Sequence, residues 1–510
     1  MRRRRARPTE DALGGYGSLA ERSPVPTVLA RPDGPPAGLP RLLAGIPARG
    51  ALSLGAHLDL HGALPPVLDP PSRGRRGSSG RGSSALLDLV EASGLRGRGG
   101  ASFPLATKLR AVVGASRSPL GGRPVVVVNG AEGEPASAKD RTLLRSLPHL
   151  VLDGALLAAA AVGAHEVLLG VCESSPAALD ACALALAERG APHRGEPSVQ
   201  LVAVPSRYVA GQESALVSFF GGGSPLPTFT PPRPSARGVR GRPTLVSNVE
   251  TLAHLALLAR YGSDWFRELG TPAQPGSALV TLSGPVAFPG VYELEYGSPL
   301  LALLDAAGGA TAPLRAVLLG GYAGTWLDAS LLRGVALSDE HLAPHGATLG
   351  AGVVVLLSAD ACPVAEVASL VRWLASESAR QCGPCVFGLD ALASVFEQLV
   401  LGDAPGGLAS QRRGVRVRRD ASGGAATLDG RDATPRLAGL AALVNGRGAC
   451  SHPDGAARLV ASALNVFADE LAAHSHNGPC AACARPSELP RPRVARRDSS
   501  ERSLASPLRG

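Results

Sequence analysis

The chain has 510 residues, of which 45% are hydrophobic but only 4% aromatic, so it can form two to four domains with cores of small aliphatic side chains. Its formal net charge of +9 comes largely from arginine clusters near both ends and at residues 73–81, without interleaved aromatics, which argues against nucleic-acid binding. No apolar run reaches the roughly 18 residues of a membrane span and no secretory leader follows the first arginines, so we expect a cytoplasmic protein.

Residues 1–80 are rich in Pro, Gly, Arg and Ser, and we predict a disordered or irregular N-terminal segment. Residues 81–272 then alternate between short aliphatic strands and helices. The predicted helices lie near 85–93, 106–113, 150–162 and 177–188, and the strands at 125–128, 166–170 and 199–204. Helices between such strands predict an α/β fold with a largely parallel, doubly wound, Rossmann-like sheet.

Two loops in this domain carry the chemistry. The first, residues 94–104, has four glycines within seven residues and two interleaved arginines, Arg96 and Arg98, a composition that suits a phosphate. The second follows the strand at 125–128 and brings Glu132 and Glu134 to its carboxyl end, where open α/β sheets bind ligands. Together the loops predict a nucleotide with a phosphate tail and a polar ring.

Three further regions follow. Residues 273–358 mix short strands with one helix and predict a small α+β domain, and residues 359–478 predict a helical domain with a long surface loop at 402–434. Residues 479–510 form a C-terminal tail with a Cys-x-x-Cys pair. Four of the eight cysteines fall in two such pairs, which favours metal or cluster ligation, whereas Cys172, Cys182 and Cys362 are expected to be buried small hydrophobic residues.

The order of these motifs resembles the flavin-bearing, NADH-binding subunit of respiratory complex I, a family shared with the diaphorase subunits of NAD-linked hydrogenases and formate dehydrogenases. The resemblance covers about residues 85–475, and residues 273–358 resemble the family's soluble-ligand-binding β-grasp (SLBB) module. It rests on the segments 97–104 with Lys108, 129–141, 211–213, 243–251 and 377–385 with Cys450.

The resemblance implies a flavoprotein in which FMN takes a hydride from NADH and releases single electrons into a [4Fe–4S] cluster. Glu134 and Glu213 would lie near the nicotinamide as catalytic residues, and Phe103 would offer an aromatic face to the dinucleotide. The residues implied in cofactor binding are Gly97, Arg98, Gly99, Gly100, Lys108, Asn129, Glu132, Gly211, Gln212 and Asn248. The alternative role for the asparagines and glutamates is turn formation and helix N-capping.

The dinucleotide side departs from the family pattern. Leu109 and Ala111 stand where the family has aromatic residues, and Arg233 replaces a phenylalanine. Each missing stacking contact would weaken binding by roughly 1 kcal/mol. Arg233 could instead meet a phosphate, so NADPH is an alternative to NADH as the electron donor.

The cluster ligands also depart from the pattern, because Ala379 occupies the first cysteine position and leaves Cys382, Cys385 and Cys450. Three thiolates do not complete a cubane. Cys480 or Cys483 could fold back as the fourth ligand; a non-cysteine ligand or a [3Fe–4S] centre could serve; or the cluster could be lost, with the pairs binding zinc or nothing.

The leading hypothesis is an FMN-dependent oxidoreductase subunit that passes electrons from NAD(P)H, through an iron–sulfur cluster, to a protein acceptor. The expected partner is a ferredoxin-like or other iron–sulfur subunit, or a membrane reductase. The alternatives are a flavoprotein that another protein reduces, and a non-catalytic scaffold with degenerate sites.

Overall fold

The structure is a computed structural model that describes residues 38–65, 79–118, 122–192, 195–402 and 433–490. The predictions for residues 1–37 and 66–78, for most of the loop at 402–434 and for the tail beyond residue 490 lie outside the described residues. The described residues form an α/β domain, a small mixed-sheet domain and a helical domain, in that chain order.

The α/β domain contains a four-stranded, wholly parallel sheet in the order β3-β2-β1-β4. Val125 and Val127 of β1 contribute to one hydrophobic cluster, and Val126 and Val128 to another, so both faces of the sheet are covered. This arrangement confirms the doubly wound fold. The strands are β1 Val125–Gly130, β2 Glu166–Cys172, β3 Ser198–Val204 and β4 Thr244–Asn248. The helices are α1 Leu54–His61, α2 Ser79–Ser93, α3 Leu105–Ser116, α4 Lys139–Ser146, α5 Pro148–Val162, α6 Pro176–Arg189, α7 Glu213–Phe220 and α8 Val249–Arg267.

Helices α1, α4 and α7 of this domain were not predicted from the sequence. Helix α1 lies in the segment predicted to be irregular, and it is anchored because His57 is buried with its Nε2 atom 2.8 Å from Asp153 Oδ2. Helix α4 begins inside the predicted second loop, at Lys139. Its sequence is mostly polar and lacks the apolar helical periodicity from which a helix is predicted.

Helices α5 and α8 pack at unusually short range. A Cβ atom on Gly154 would lie 1.8 Å from the carbonyl oxygen of Leu252, so the crossing requires a glycine. Because α8 begins directly after β4, this contact fixes the position of the helix N-terminus at the edge of the sheet.

The second domain has a mixed five-stranded sheet in the order β6-β5-β9-β7-β8. It contacts the α/β domain through hydrogen bonds from Leu279 N–H to Glu250 Oε1 (2.8 Å) and from Ala138 N–H to Thr281 Oγ1 (2.9 Å). The strand β8 was not predicted. The elements are β5 Ser277–Ser283, β6 Gly290–Glu295, α9 Leu300–Ala306, β7 Leu314–Leu319, β8 Thr325–Asp328, α10 Asp339–Leu342 and β9 Val353–Ser358.

The third domain is helical, as predicted, and its last two helices are separated at Phe467, whose φ of −113° and ψ of 30° leave the helical region. A one-turn π-helix, Pro384–Gly388, precedes α12. The helices are α11 Pro363–Ser376, α12 Leu389–Leu401, α13 Ala433–Val444, α14 His452–Val466 and α15 Ala468–Asn477.

One helical run, Pro384–Leu401, is long and apolar enough to cross a membrane by length and composition alone, although none was expected. Leu389, Leu392 and Phe396 of this run are buried in the core of the helical domain. Helices α4 and α5 pass the same test only together, and they meet at a bend of 98°. We therefore interpret these segments as core helices.

Candidate functional site

Two asparagines mark the carboxyl edge of the parallel sheet. Asn129 lies near the end of β1 and Asn248 ends β4, and the two residues are direct partners in the strand register. Gly99 of the glycine loop lies against Asn248, since a Cβ atom on Gly99 would be 3.3 Å from Asn248 Cβ. Open parallel sheets bind their ligands at this edge. The structure thus brings the predicted glycine loop and both asparagines to one candidate site.

The glycine loop leaves several backbone donors available. Gly97 N–H closes the loop on the carbonyl oxygen of Phe103 at 2.9 Å. The N–H groups of Gly99, Gly100 and Ala101 form no hydrogen bond with any described residue, and all three residues are exposed. Neighbouring backbone N–H groups are a common way to bind phosphate oxygens. This donor set therefore fits the phosphate of a nucleotide cofactor.

Arg98 has a different role from the phosphate contact that the sequence suggested. Its side chain is only 3% exposed, and its guanidinium donates to the carbonyl oxygens of Arg96 (3.0 Å) and Ser277 (3.2 Å). The same group lies 4.7 Å from the centre of the Tyr296 ring. Arg98 therefore ties the glycine loop to β5 and is not a free cation at the loop surface.

A cavity of about 190 Å³ lies between the glycine loop and the second domain, and a buried ion network borders it. Lys139 Nζ is 2.6 Å from Asp140 Oδ1 and 2.8 Å from Glu250 Oε2, and Asn248 Nδ2 donates to Asp140 Oδ2 at 2.6 Å. Burial opposes the charge of Lys139, but the two carboxylates raise the pKa of its ammonium group above the usual value. Burial also raises the pKa of Asp140 to about 6, against the effect of Lys139.

Lys139, Asp140 and Glu250 were not among the site residues predicted from the sequence. All three lie inside the motif segments 129–141 and 243–251. Ionisable residues inside cofactor-binding motifs are candidates for functional sites, so these three could have been identified on that basis. Their pairing could not be inferred, because it depends on α4 and α8 meeting beneath the second domain.

Lys108 and Glu213 form the most accessible charged pair of the candidate site. Lys108 Nζ donates to the carbonyl oxygen of Val246 at 2.9 Å and lies 3.1 Å from Glu213 Oε1. The two side chains are 30% and 37% exposed, so both can reach a ligand. The structure therefore joins a predicted cofactor-binding cation to a predicted catalytic carboxylate.

The segment containing Gly211 packs directly against the second loop. Asn129 Nδ2 donates to the carbonyl oxygen of Gly211 at 2.8 Å, and Asn129 Oδ1 accepts from Ala131 N–H at 3.2 Å. A Cβ atom on Gly211 would be 2.6 Å from the carbonyl oxygen of Ala131, so this approach requires glycine. The side chain of Gln212 caps α7, accepting from Ser214 N–H at 2.8 Å.

The two glutamates of the second loop both act as hydrogen-bond acceptors inside the protein. Glu132 accepts from the backbone N–H groups of Asp140 (3.1 Å) and Arg141 (3.2 Å) and so caps the start of α4. Glu134 is buried and its Oε2 accepts from Tyr322 N–H at 3.0 Å. Burial raises the pKa of Glu134 to about 7, although the N–H groups of Tyr322 and Ala136, which donate to this carboxylate, oppose the shift. The structure thus places Glu134 at a contact between the first two domains, where it is buried, whereas Glu213 is 37% exposed.

The residues expected on the dinucleotide side fall into two environments. Phe103 is 38% exposed, and Ala111 and Arg233 are also exposed. Leu109 is fully buried, because the apolar positions 105, 106, 109 and 112 form the core-facing stripe of α3. Leu109 is therefore a core residue, and its comparison with a ring that stacks on the dinucleotide was misplaced.

Three cysteines of the helical domain form a group. Cys385 is buried, and its neighbours include the sulfurs of Cys382 and Cys450. Burial opposes the thiolate of Cys382, but N–H groups of Ala449 and Cys385 lower the pKa of its thiol; His452 N–H donates to Cys450 Sγ. Backbone N–H donation to sulfur is the environment that iron–sulfur clusters use. The donor chemistry fits a cluster held by three protein thiolates.

The structure does not add Cys480 or Cys483 to that group. Both sulfurs lie with Cys362 and His474 in a separate constellation whose ligand atoms are all within 4.8 Å of one another. The geometry therefore favours the interpretations in which Cys382, Cys385 and Cys450 are not completed by the second pair. It also corrects the expectation for Cys362, which is buried but contacts polar partners.

Comparison with protein families gives three matches in chain order. Residues 90–257 match the Nuo51 FMN-binding domain, residues 279–321 the SLBB domain and residues 365–474 the NADH-ubiquinone oxidoreductase-F iron–sulfur binding region. The three matches fall on the three domains described above.

Individual relatives give the same result. The F subunit of the NADH-quinone oxidoreductase of Mycobacterium bovis is 31% identical over 409 residues, which cover 78% of this chain and 85% of the relative. The F 2 subunit of the Rhizobium meliloti enzyme is 29% identical over 78% of this chain and 90% of its own length. A chain of the NAD+-reducing [NiFe]-hydrogenase crystal structure in the H2-reduced state is 32% identical, with a TM-score of 0.67. That match covers 78% of this chain and 63% of the hydrogenase chain.

Proposed function

The chain belongs to the family of NADH-quinone oxidoreductase F subunits, and we propose that it is an FMN-dependent oxidoreductase subunit that takes electrons from a nicotinamide dinucleotide. Electrons then leave through an iron–sulfur cluster to a protein acceptor. The observation that carries this proposal is the glycine loop, whose available N–H donors lie at the same sheet edge as Asn129 and Asn248.

Different residues of the site would contact different parts of FMN. The N–H groups of Gly99, Gly100 and Ala101 would bind the phosphate, because they are consecutive, exposed and without a partner among the described residues. Lys108 would place its ammonium group beside the flavin and retain Glu213 as its counterion. The buried Lys139–Asp140–Glu250 network would hold the loop and α8 in position below them.

FMN, when bound, supplies the chemistry of accepting a hydride as two electrons and releasing them one at a time. The protein contributes orientation and electrostatics. The Lys108–Glu213 pair keeps one positive and one negative group at the opening of the site. The Lys108 ammonium group can donate to the polar edge of the flavin ring, and the Glu213 carboxylate can accept from the carboxamide of a nicotinamide. The pair would then align the two rings.

Cys382, Cys385 and Cys450 would hold the iron–sulfur cluster, with Ala379 in place of a fourth thiolate. We infer a cluster with one iron that lacks a cysteine ligand, or a [3Fe–4S] centre. The acceptor would be a ferredoxin-like or other iron–sulfur subunit, or a membrane reductase. The relatives are named as subunits, which supports work within a multisubunit complex. We place that complex in the cytoplasm, as the sequence predicts.

A second candidate function is a flavoprotein reduced by a partner protein instead of NADH. It is favoured by the residues expected on the dinucleotide side, among which Ala111 and Arg233 supply no aromatic ring, and by the burial of Glu134 against Tyr322. In this case the contacts to FMN would be intact and the contacts to the dinucleotide would be lost. The non-catalytic scaffold, by contrast, would have lost the contacts to FMN as well.

The test is to purify the full chain anaerobically, record its visible spectrum, and add NADH and then NADPH. A flavin spectrum that NADH bleaches within one turnover supports the dehydrogenase, and bleaching by NADPH alone assigns the donor to NADPH. Flavin that neither nucleotide reduces, but dithionite does, supports the partner-fed function. A colourless protein that cannot be reconstituted with FMN refutes both.

A further inference from the structure

A second cysteine-rich constellation lies apart from the group of Cys382, Cys385 and Cys450. Cys362, His474, Cys480 and Cys483 each offer one ligand atom, and these four atoms lie within 4.8 Å of one another. From this geometry we propose that these four residues bind a structural zinc ion. No step of the proposed redox function uses this site.

The distances between the ligand atoms fit a tetrahedral metal. Cys362 Sγ is 3.4 Å from Cys483 Sγ and 3.6 Å from His474 Nε2, and Cys480 Sγ is 3.7 Å from Cys483 Sγ. Tetrahedral zinc, with Zn–S near 2.3 Å and Zn–N near 2.0–2.1 Å, places two sulfurs about 3.8 Å apart and sulfur and nitrogen about 3.6 Å apart. The constellation therefore has the dimensions of a filled site before any rearrangement.

The histidine is oriented for metal binding by its other ring nitrogen. His474 Nδ1 lies 3.1 Å from the carbonyl oxygen of Leu399, which can only accept a hydrogen bond, so Nδ1 carries the proton. The Nε2 lone pair then faces Cys362. Metal-binding histidines are commonly fixed by such a bond to a backbone carbonyl.

The cysteines occupy positions that favour thiolate ligands. Cys362 caps the N-terminus of α11 and its Sγ accepts from Ala365 N–H at 3.4 Å, where the helix dipole favours a negative charge. Cys480 and Cys483 form a Cys-x-x-Cys pair around the short 3₁₀ turn Ala481–Ala484. Cys480 is exposed, which gives a metal ion a route to the site.

The ligand set selects zinc over the other possibilities. Three cysteines and one histidine are a standard closed set for structural zinc, with no position left for a substrate. A disulfide between Cys480 and Cys483 would use two sulfurs and would not account for the contact between Cys362 and His474. Ligation of the cluster would require Cys480 or Cys483 to leave the ligand atoms of Cys362 and His474 that the pair contacts.

The zinc ion would fasten the segment 478–490, which we call the C-terminal strap, to the rest of the protein. Beyond Cys483 the strap continues across the junction of the second and third domains. Glu488 N–H donates to Glu366 Oε1 at 2.8 Å, and Glu488 Oε2 accepts from Ser358 N–H at 2.9 Å. Ser358 ends β9 and Glu366 belongs to α11, so the strap joins the two domains.

The test is metal analysis of the full chain expressed with both iron and zinc supplied and purified anaerobically. We expect about one zinc ion per chain, as a closed four-ligand site requires. Cys480→Ser and Cys483→Ser should each lose most of the zinc and keep the iron, whereas Cys385→Ser should lose iron and keep zinc. Cys172→Ser is the matched control, because Cys172 Sγ already contacts two serine hydroxyls, and it should change neither metal.

Two variants of His474 distinguish the loss of a zinc ligand from misfolding of the protein. His474→Cys retains four ligands and should keep zinc, whereas His474→Ala should lose it. Cobalt added to the metal-free protein should give the charge-transfer absorption of a tetrahedral cysteine-rich site. The proposal is overturned if the folded parent contains no zinc and binds no cobalt, if Cys483→Ser loses iron in place of zinc, or if mass spectrometry finds a Cys480–Cys483 disulfide in the anaerobically purified protein.

Discussion

Replacing Glu134 with glutamine should change how the stability of this protein depends on pH. The Glu134 carboxyl group is buried at the contact between the first two domains, where Oε2 accepts from Tyr322 N–H at 3.0 Å and Oε1 accepts from Ala136 N–H at 3.3 Å. Burial raises its pKa from 4.5 to about 7. The folded protein therefore binds this proton more tightly than the unfolded chain does.

The sign of the effect follows from that difference. The stability contributed by the protonated group is fully present below pH 4.5 and is lost as the pH rises through about 7. At pH 8 the folded state holds a buried carboxylate, and the loss amounts to about 3 kcal/mol. Glutamine stays neutral at both pH values. It can accept from Tyr322 N–H, but its amide nitrogen cannot accept from Ala136 N–H, which costs up to about 1 kcal/mol at all pH values.

The free-energy difference between Glu134→Gln and the parent should therefore shift by about 2.5 kcal/mol in favour of the variant between pH 5 and pH 8, because a small part of the loss is already present at pH 5. Thermal unfolding followed by fluorescence should show this as a relative change of about 5–10 °C in Tm for a cooperative unit of 150–250 residues. Glu340→Gln is the control, since Glu340 is 44% exposed, and its curve should parallel the parent. Parallel curves for Glu134→Gln and the parent would refute the assignment of a buried, neutral Glu134.

Three further outcomes are expected. Gly154→Ala should destabilise the protein by roughly 3 kcal/mol or more in denaturant unfolding, because its Cβ would lie 1.8 Å from a carbonyl oxygen of α8, whereas Gly114→Ala in open space should be neutral or stabilising. Lys108→Gln should raise the Kd for FMN, measured by flavin fluorescence, about tenfold through loss of a charge-assisted contact, and the exposed Arg110→Gln on the same helix should not. Ala379→Cys should change the cluster's electron paramagnetic resonance spectrum, because it completes a four-cysteine set, and it should add about one iron per chain where the parent holds a [3Fe–4S] centre; an unchanged spectrum would count against a three-cysteine cluster.

The α/β domain could be predicted in outline because its signal is local. Runs such as Val125–Val128 are continuously apolar, and parallel strands buried on both faces require this. Helix α4 was missed because it is held by Glu132, which precedes it by seven residues, and by a buried ion network instead of an apolar stripe. Such contacts depend on tertiary structure and leave no periodicity in the sequence.

For the candidate site, too, the sequence predicts the positions of residues better than the contacts of their side chains. The glycine loop, Lys108, Asn129 and Asn248 could be located because they follow strands or belong to ordered motifs, and the carboxyl edge of a parallel sheet gathers such positions. The direction in which a side chain points could not be inferred. Arg98 turns into the protein to bind two carbonyl oxygens, and Leu109 belongs to the buried stripe of α3.

The cysteines show why spacing alone does not assign ligands. The pair at Cys480 and Cys483 was a plausible completion of the three-cysteine group, because only three sulfurs were evident there. Which group the pair joins depends on where α15 ends, and its last turn brings His474 beside Cys362. Helix boundaries are the least certain part of a sequence prediction, so this partner choice required the fold.

Tyr322 connects these separate features. Its backbone N–H holds Glu134 at the second loop, its ring packs edge-on against Trp373 of α11 at 5.3 Å, and its hydroxyl donates to the carbonyl oxygen of Pro490 in the C-terminal strap. One residue thus touches the nucleotide domain, the helical domain and the segment that zinc would fasten. Glu134 is buried in this junction, whereas Glu213, the other glutamate predicted to be catalytic, is 37% exposed beside Lys108. A nicotinamide contact by Glu134, which the resemblance implied, would therefore compete with the hydrogen bonds that Glu134 accepts from Tyr322 N–H and Ala136 N–H.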